Sequence, residues 1–136
     1  DGERKYVLGM SGNGLWGPIW GYIALEDDGD TVYGVNLSHA SETPGLGAEI
    51  TAPHFTNQFA PNPREEKGLE PLHIFKDGSF KSIRVVKGKR TPMDGADYVD
   101  GISGGTITSK GVDAMIEDNI KRYVPFLEKL NSQEIK

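Results

Sequence analysis

Between Gly14 and Leu25 the chain is apolar and aromatic (GLWGPIWGYIAL), and after the charged turn Glu26-Asp27-Asp28-Gly29-Asp30 the segment Thr31 to Leu37 brings Val32, Val35 and Leu37. Two apolar runs joined by a short glycine-bearing turn predict an antiparallel strand pair. Pro18 has no backbone N–H, so the first strand is expected to be irregular, or to lie at an edge, in its early part. Glu42-Thr43-Pro44-Gly45-Leu46-Gly47 cannot be regular structure and predicts a tight, ordered turn, followed by a short helix over roughly Ala52 to Phe59. Pro61 to Glu70 is polar and proline-bearing and reads as a surface loop.

Leu72 to Phe75 and Phe80 to Val86 flank Lys76-Asp77-Gly78-Ser79, and Asp-Gly between apolar runs predicts a second hairpin. A further loop spans Gly88 to Asp97. Beyond it, Val112, Met115, Ile116, Ile120, Tyr123, Val124, Leu127 and Leu130 recur at threes and fours, one buried stripe on a long amphipathic helix. Pro125 is expected to kink or divide that helix. The fold class that follows is α+β: an antiparallel, twisted sheet built from hairpins, with a short helix and a long C-terminal helix. At 136 residues, 36% of them hydrophobic, the chain is expected to form a single domain over residues 1–136.

Charge and composition narrow the chemistry. Twenty acidic residues against 15 basic ones give a net charge of −5 with no concentrated Lys/Arg stripe, which argues against a nucleic-acid partner. The chain has no cysteine, so disulfides, thiolate chemistry and cysteine-ligated clusters are excluded for this sequence. His39, His54 and His73 lie apart without metal-ligand spacing, and no metal site is expected. No run approaches the roughly 20 apolar residues that cross a bilayer. The start at Asp1 without methionine is expected to mark a truncated or processed product.

Ser103-Gly104-Gly105-Thr106-Ile107-Thr108-Ser109 sets two glycines and four hydroxyl residues immediately before the predicted helix. Unsatisfied N–H groups and the helix dipole favour an anion such as phosphate there. The residues by themselves suit a glycine turn with Thr108 or Ser109 as a helix cap better still, because such clusters are common before helices. Lys87, Lys89 and Arg90 can offset phosphate charge or simply form a solvated basic loop.

Asp100-Gly101-Ile102-Ser103-Gly104-Gly105-Thr106 resembles the D-G-x-[ST]-G-A-T flavinylation motif of the FMN-binding domain family, departing from it at Gly105, where the family usually has alanine. Ser11-Gly12-Asn13-Gly14-Leu15-Trp16-Gly17 is similar to that family's S-G-x-G-L-W segment. His39-Ala40-Ser41-Glu42-Thr43-Pro44-Gly45-Leu46-Gly47 is similar to its H-x-x-E-T-P-G-L-G segment. The three stand in the family's order. Within the family, Thr106 to Val112 (TITSKGV) looks closer to the C-subunit branch of the sodium-translocating NADH:quinone reductases than to the G-subunit branch of the Rnf complex.

The resemblance implies FMN joined covalently through its phosphate to Thr106, with Ser103, Gly104, Gly105, Ile107 and Thr108 around the attachment. Leu15, Trp16 and Leu46 would supply an apolar face for the ring, and Glu42 with Thr43 its polar edge. For Trp16 and Leu46 the alternative is a place in the core, and for Glu42 the capping of a backbone turn. The implied role is electron transfer without a catalytic acid, base or nucleophile, within a membrane NADH:quinone oxidoreductase (translocase) complex. The implied partners are the other subunits of that complex and a flavin transferase. The implied place is the outer, periplasmic side of the inner membrane, beyond an N-terminal transmembrane anchor absent from this sequence. The rivals are an Rnf G-subunit-like or free-standing FMN-domain carrier and, in another class, a non-redox module binding a phosphate-bearing ligand or a protein.

Overall fold

The computed structural model describes residues 4–86 and 97–134. Three strands, β1 (Tyr6–Asn13), β2 (Pro18–Leu25) and β3 (Val32–His39), form an antiparallel sheet in that order. The pairing of β2 with β3 is the one the two apolar runs predict. Gly14 to Gly17 is not strand but the turn between β1 and β2, closed by the Gly14 N–H on the Gly17 carbonyl at 2.8 Å.

Two expectations are corrected in this sheet. β1 is a strand that the sequence reading passes over, because two glycines and only two fully buried positions, Leu8 and Met10, blur its alternation. With β1 present, β2 is the central strand and Pro18 does not mark an edge. Pro18 is tolerated because it is the first strand residue, opposite Asn13 at the hairpin end. Its carbonyl still serves the sheet, accepting from the Ala40 N–H at 3.1 Å.

Thr43 to Leu46 forms the expected tight turn, with the Leu46 N–H on the Thr43 carbonyl at 3.0 Å and Gly45 at φ +79°, a conformation that glycine adopts without steric cost. The short helix expected over Ala52 to Phe59 is split into helix α1 at Pro53–Thr56 and a 3-10 segment at Asn57–Phe59, and a further 3-10 segment at Gly47–Thr51 precedes it. The polar stretch read as a loop contains helix α2 (Pro61–Glu66). Pro53 and Pro61 stand at helix starts, where the missing N–H would have had no helical partner, so proline here opens helices.

Asp77 and Gly78, both at positive φ, turn the predicted hairpin between two-residue strands β4 (Phe75–Lys76) and β5 (Ser79–Phe80). The strand expected to run on to Val86 breaks. Its end, β6 (Arg84–Val86), pairs in parallel with β7 (Tyr98–Asp100), an exception to the hairpin scheme. Lys87, Lys89, Arg90 and most of the loop from Gly88 to Asp97 lie outside the described residues.

The C-terminal helix divides as Pro125 predicts, into α3 (Thr106–Lys121) and α4 (Val124–Glu134), with Pro125 in the first turn of α4. Val112, Met115, Ile116, Ile120 and Leu127 are buried, while Tyr123 at the break is exposed. α3 lies close against the sheet. A Cβ at Gly111 would collide with the Asn13 carbonyl oxygen, and Asn119 Nδ2 donates to the Ser11 carbonyl at 2.9 Å. The apolar faces of the sheet, α1 and α3 meet in one buried cluster that includes Ile19, Ile23, Phe55, Phe59 and Ile116. No helix among the described residues is long and apolar enough to cross a membrane.

Candidate functional site

Three chain segments converge where α3 begins: the β1–β2 turn, the turn after β3, and the glycine-rich run ahead of α3. Together they enclose a cavity of about 400 Å³, within the range of small-molecule sites. It is lined by Leu15, Trp16, Glu42, Thr43, Leu46, Gly47, Gly104, Gly105, Thr106, Ile107 and Thr108. Of the residues that the resemblance sets around the cofactor, Ser103 alone stands outside this lining, and Lys87, Lys89 and Arg90 lie outside the described residues. Gly47 is the addition. It falls at the end of the Glu42-to-Gly47 turn, so the motif itself carried the signal.

Glu42 is the hub. Its side chain is buried, and its carboxylate accepts the N–H of Leu15 on Oε1 and the N–H of Trp16 on Oε2, each at 2.9 Å. The Thr108 hydroxyl donates to Oε1 at 2.5 Å. Burial pushes the carboxyl up. The Thr108 hydroxyl and the N–H groups of Trp16, Leu15 and Gly17 outweigh it, so the group sits below the ordinary glutamate value and is ionised. His39 holds the backbone beside it, its Nδ1 accepting the Glu42 N–H at 3.0 Å. The packing leaves no room for side chains: a methyl on Gly14 would lie 2.5 Å from Oε1, and one on Gly47 would strike the Thr108 hydroxyl.

The start of α3 bears on one part of the two readings of the Ser/Gly/Thr segment, the side-chain cap. Gly105 is the N-cap, and no side chain caps the helix. Thr108 and Ser109 instead lie inside the first turns, so neither is the cap that the sequence allowed for. Thr108 points to Glu42, and the Ser109 hydroxyl accepts the Ile102 N–H at 2.9 Å. Thr106 is the first helical residue, half-buried and facing the cavity. Gly104, at φ +78°, bends the chain into this start, and a methyl there would come within 2.8 Å of Leu46 Cδ2.

Around the mouth, Leu15 (48%), Trp16 (65%), Leu46 (44%) and Ile107 (55%) remain exposed. The alternative that Trp16 and Leu46 are core residues is therefore overturned. An apolar rim open to water, an uncapped helix start and a hydroxyl between them can take an amphipathic ligand with a flat apolar part and an anionic end.

That arrangement defines a class, and the chain belongs to the FMN-binding domain family, whose model matches residues 14–121. It is 35% identical over 135 residues to the C subunit of the Na(+)-translocating NADH-quinone reductase of Yersinia pestis, covering 98% of this chain and 47% of that protein. The crystal structure of the C subunit of the Na(+)-translocating NADH-quinone reductase from Parabacteroides distasonis is similar at a TM-score of 0.83 and 51% identity, over 93% of this chain and 58% of that one. The crystal structure of Shewanella oneidensis NqrC is similar at a TM-score of 0.72 and 32% identity, over 94% and 55%. This chain spans about half the length of the curated relatives it matches.

Proposed function

We propose that this chain is the flavin-carrying domain of the C subunit of a sodium-translocating NADH:quinone reductase, with FMN esterified through its phosphate to Thr106. The observation that carries the reading is the division of labour between two hydroxyls on one turn of α3. Thr108 is buried and already donates to Glu42, whereas Thr106 is free of that bond and faces the cavity beside the uncapped helix start. Phosphate at Thr106 has the helix N-terminus as its electrostatic partner. Trp16, Leu15, Leu46 and Ile107 form the apolar surface for the ring.

FMN supplies reversible electron uptake, and attachment through phosphate leaves its ring free. The chain's own residues bind, orient and partly shield it; none acts as an acid or base. In this reading the domain passes electrons between carriers on the outer side of the membrane, in contact with other subunits of the complex, and is matured by a flavin transferase. The similarity to C-subunit proteins along nearly the whole chain supports the pump over an unrelated carrier.

Mass spectrometry tests it. A peptide spanning Asp100 to Lys110, from protein made alongside the transferase, carries the mass of FMN less water on Thr106. An unmodified peptide under those conditions, or flavin on Thr108, removes the assignment.

A further inference from the structure

The Glu42 carboxylate lines the cavity, yet its acceptor capacity is spent on the protein. An ionised carboxylate offers about four lone-pair sites. Oε1 takes the Leu15 N–H and the Thr108 hydroxyl and Oε2 takes the Trp16 N–H, which fills most of those sites. Little is left with which to accept a hydrogen bond from a ligand's edge.

Its charge, by contrast, meets no opposite charge among the described residues. No Lys, Arg or His pairs with the carboxylate among the described residues; its partners are amide and hydroxyl dipoles, which spread the charge without neutralising it. The residue is 3% exposed, so the carboxylate itself meets little water directly. The three donors hold it in place, and it lies directly against Gly14, where it fills the space a methyl would occupy.

We propose that Glu42 acts on the bound flavin through its charge and not through contact, holding the flavin's midpoint potential below that of free FMN. The proposal rests on the flavin reading above. Reduction of the ring by two electrons with uptake of one proton leaves it with one net negative charge. A fixed anion in the cavity wall opposes that charge, which disfavours the reduced form and makes the domain a better electron donor.

The test compares flavin midpoint potentials of the flavinylated wild type, Glu42→Gln and Thr108→Val, by reductive titration with dithionite against a reference dye. Glu42→Gln removes the charge and raises the potential. Thr108→Val keeps the charge, removes a donor that disperses it, and leaves the potential unmoved or lower. Upward shifts in both variants mark lost packing and overturn the proposal, as does an unmoved Gln variant. If Glu42→Gln does not hold flavin, the unaltered protein still decides. Sulfite adds through its sulfur lone pair to flavin N5, giving an anionic adduct, and should bind about tenfold more weakly than to free FMN, the order expected of one nearby fixed charge. Equal or tighter sulfite binding overturns the proposal. A chain that stays colourless when made with the transferase overturns the flavin reading itself, an outcome distinct from a yellow protein whose potential ignores Glu42.

Discussion

Thr108 and Glu42, 66 residues apart in the chain, share a 2.5 Å hydrogen bond in which the threonine hydroxyl donates to Oε1. Since the same carboxylate holds the Leu15 and Trp16 N–H groups, one side chain ties α3 to the β1–β2 turn and to the turn after β3. The site's geometry therefore depends on a bond that the proposed attachment chemistry does not use.

Thr108→Val leaves the buried carboxylate short of a donor and should cost about 1–3 kcal/mol, read as a lowered midpoint in urea unfolding. Thr106→Val, which removes a hydroxyl with no such partner, should cost no more than about 1 kcal/mol. Equal losses in the two variants would contradict the division of labour between these threonines.

The same pair separates tether from stability. Thr106→Val should abolish covalent flavin and electron transfer in the assembled complex, and Thr106→Ser, which keeps the oxygen, should restore both in proportion wherever the transferase accepts serine. Substantial electron transfer by an unflavinylated Thr106 variant would favour reversible FMN binding instead.

Glu42 also makes a pH prediction. Its carboxyl lies below the ordinary value of 4.5 because its hydrogen bonds outweigh the effect of burial. A depressed carboxyl contributes stability that is complete above the unfolded value and is lost as pH falls through the lower folded value. Asp28, also depressed, acts in the same sense; Asp30, pushed up by burial, acts in the opposite one. Urea midpoints measured from about pH 7 down to about pH 3 should fall, and Glu42→Gln should flatten the fall.

Trp16→Ala tests the rim. Because Trp16 is largely exposed, its loss should hardly move stability, while flavin emission should brighten as a quenching ring is removed. Covalent yield should be unchanged. Flavin fluorescence and potential both unaltered by the substitution would take Trp16 out of the site.

Gly14→Ala tests the space around the hub. The new methyl would lie 2.5 Å from Glu42 Oε1, so the carboxylate must shift from its donors. A loss of about 1–3 kcal/mol in unfolding free energy is expected.

The sequence by itself determined what depends on neighbours along the chain: the β2–β3 pair, the Asp77-Gly78 turn, the apolar stripe of α3 and its break near Pro125. Each follows from side-chain period or from the backbone limits of glycine and proline. The three motif segments were equally legible, since each is continuous in sequence. Only the tertiary structure decided the rest. Glycines hid the alternation of β1, and so β2 seemed an edge; β6 found a parallel partner in β7; and the helix-starting role of Pro61 emerged only in place. Trp16 and Leu46 have the composition of core residues, and their exposure depends on what folds over them. Likewise, beyond the motif position that singles out Thr106, nothing local distinguishes its environment from that of Thr108. Which hydroxyl is left without a partner among the described residues and which is buried and tied down is set by helix phase together with Glu42, a residue far away in the chain, and a contact at that separation exists only once the sheet and α3 have packed.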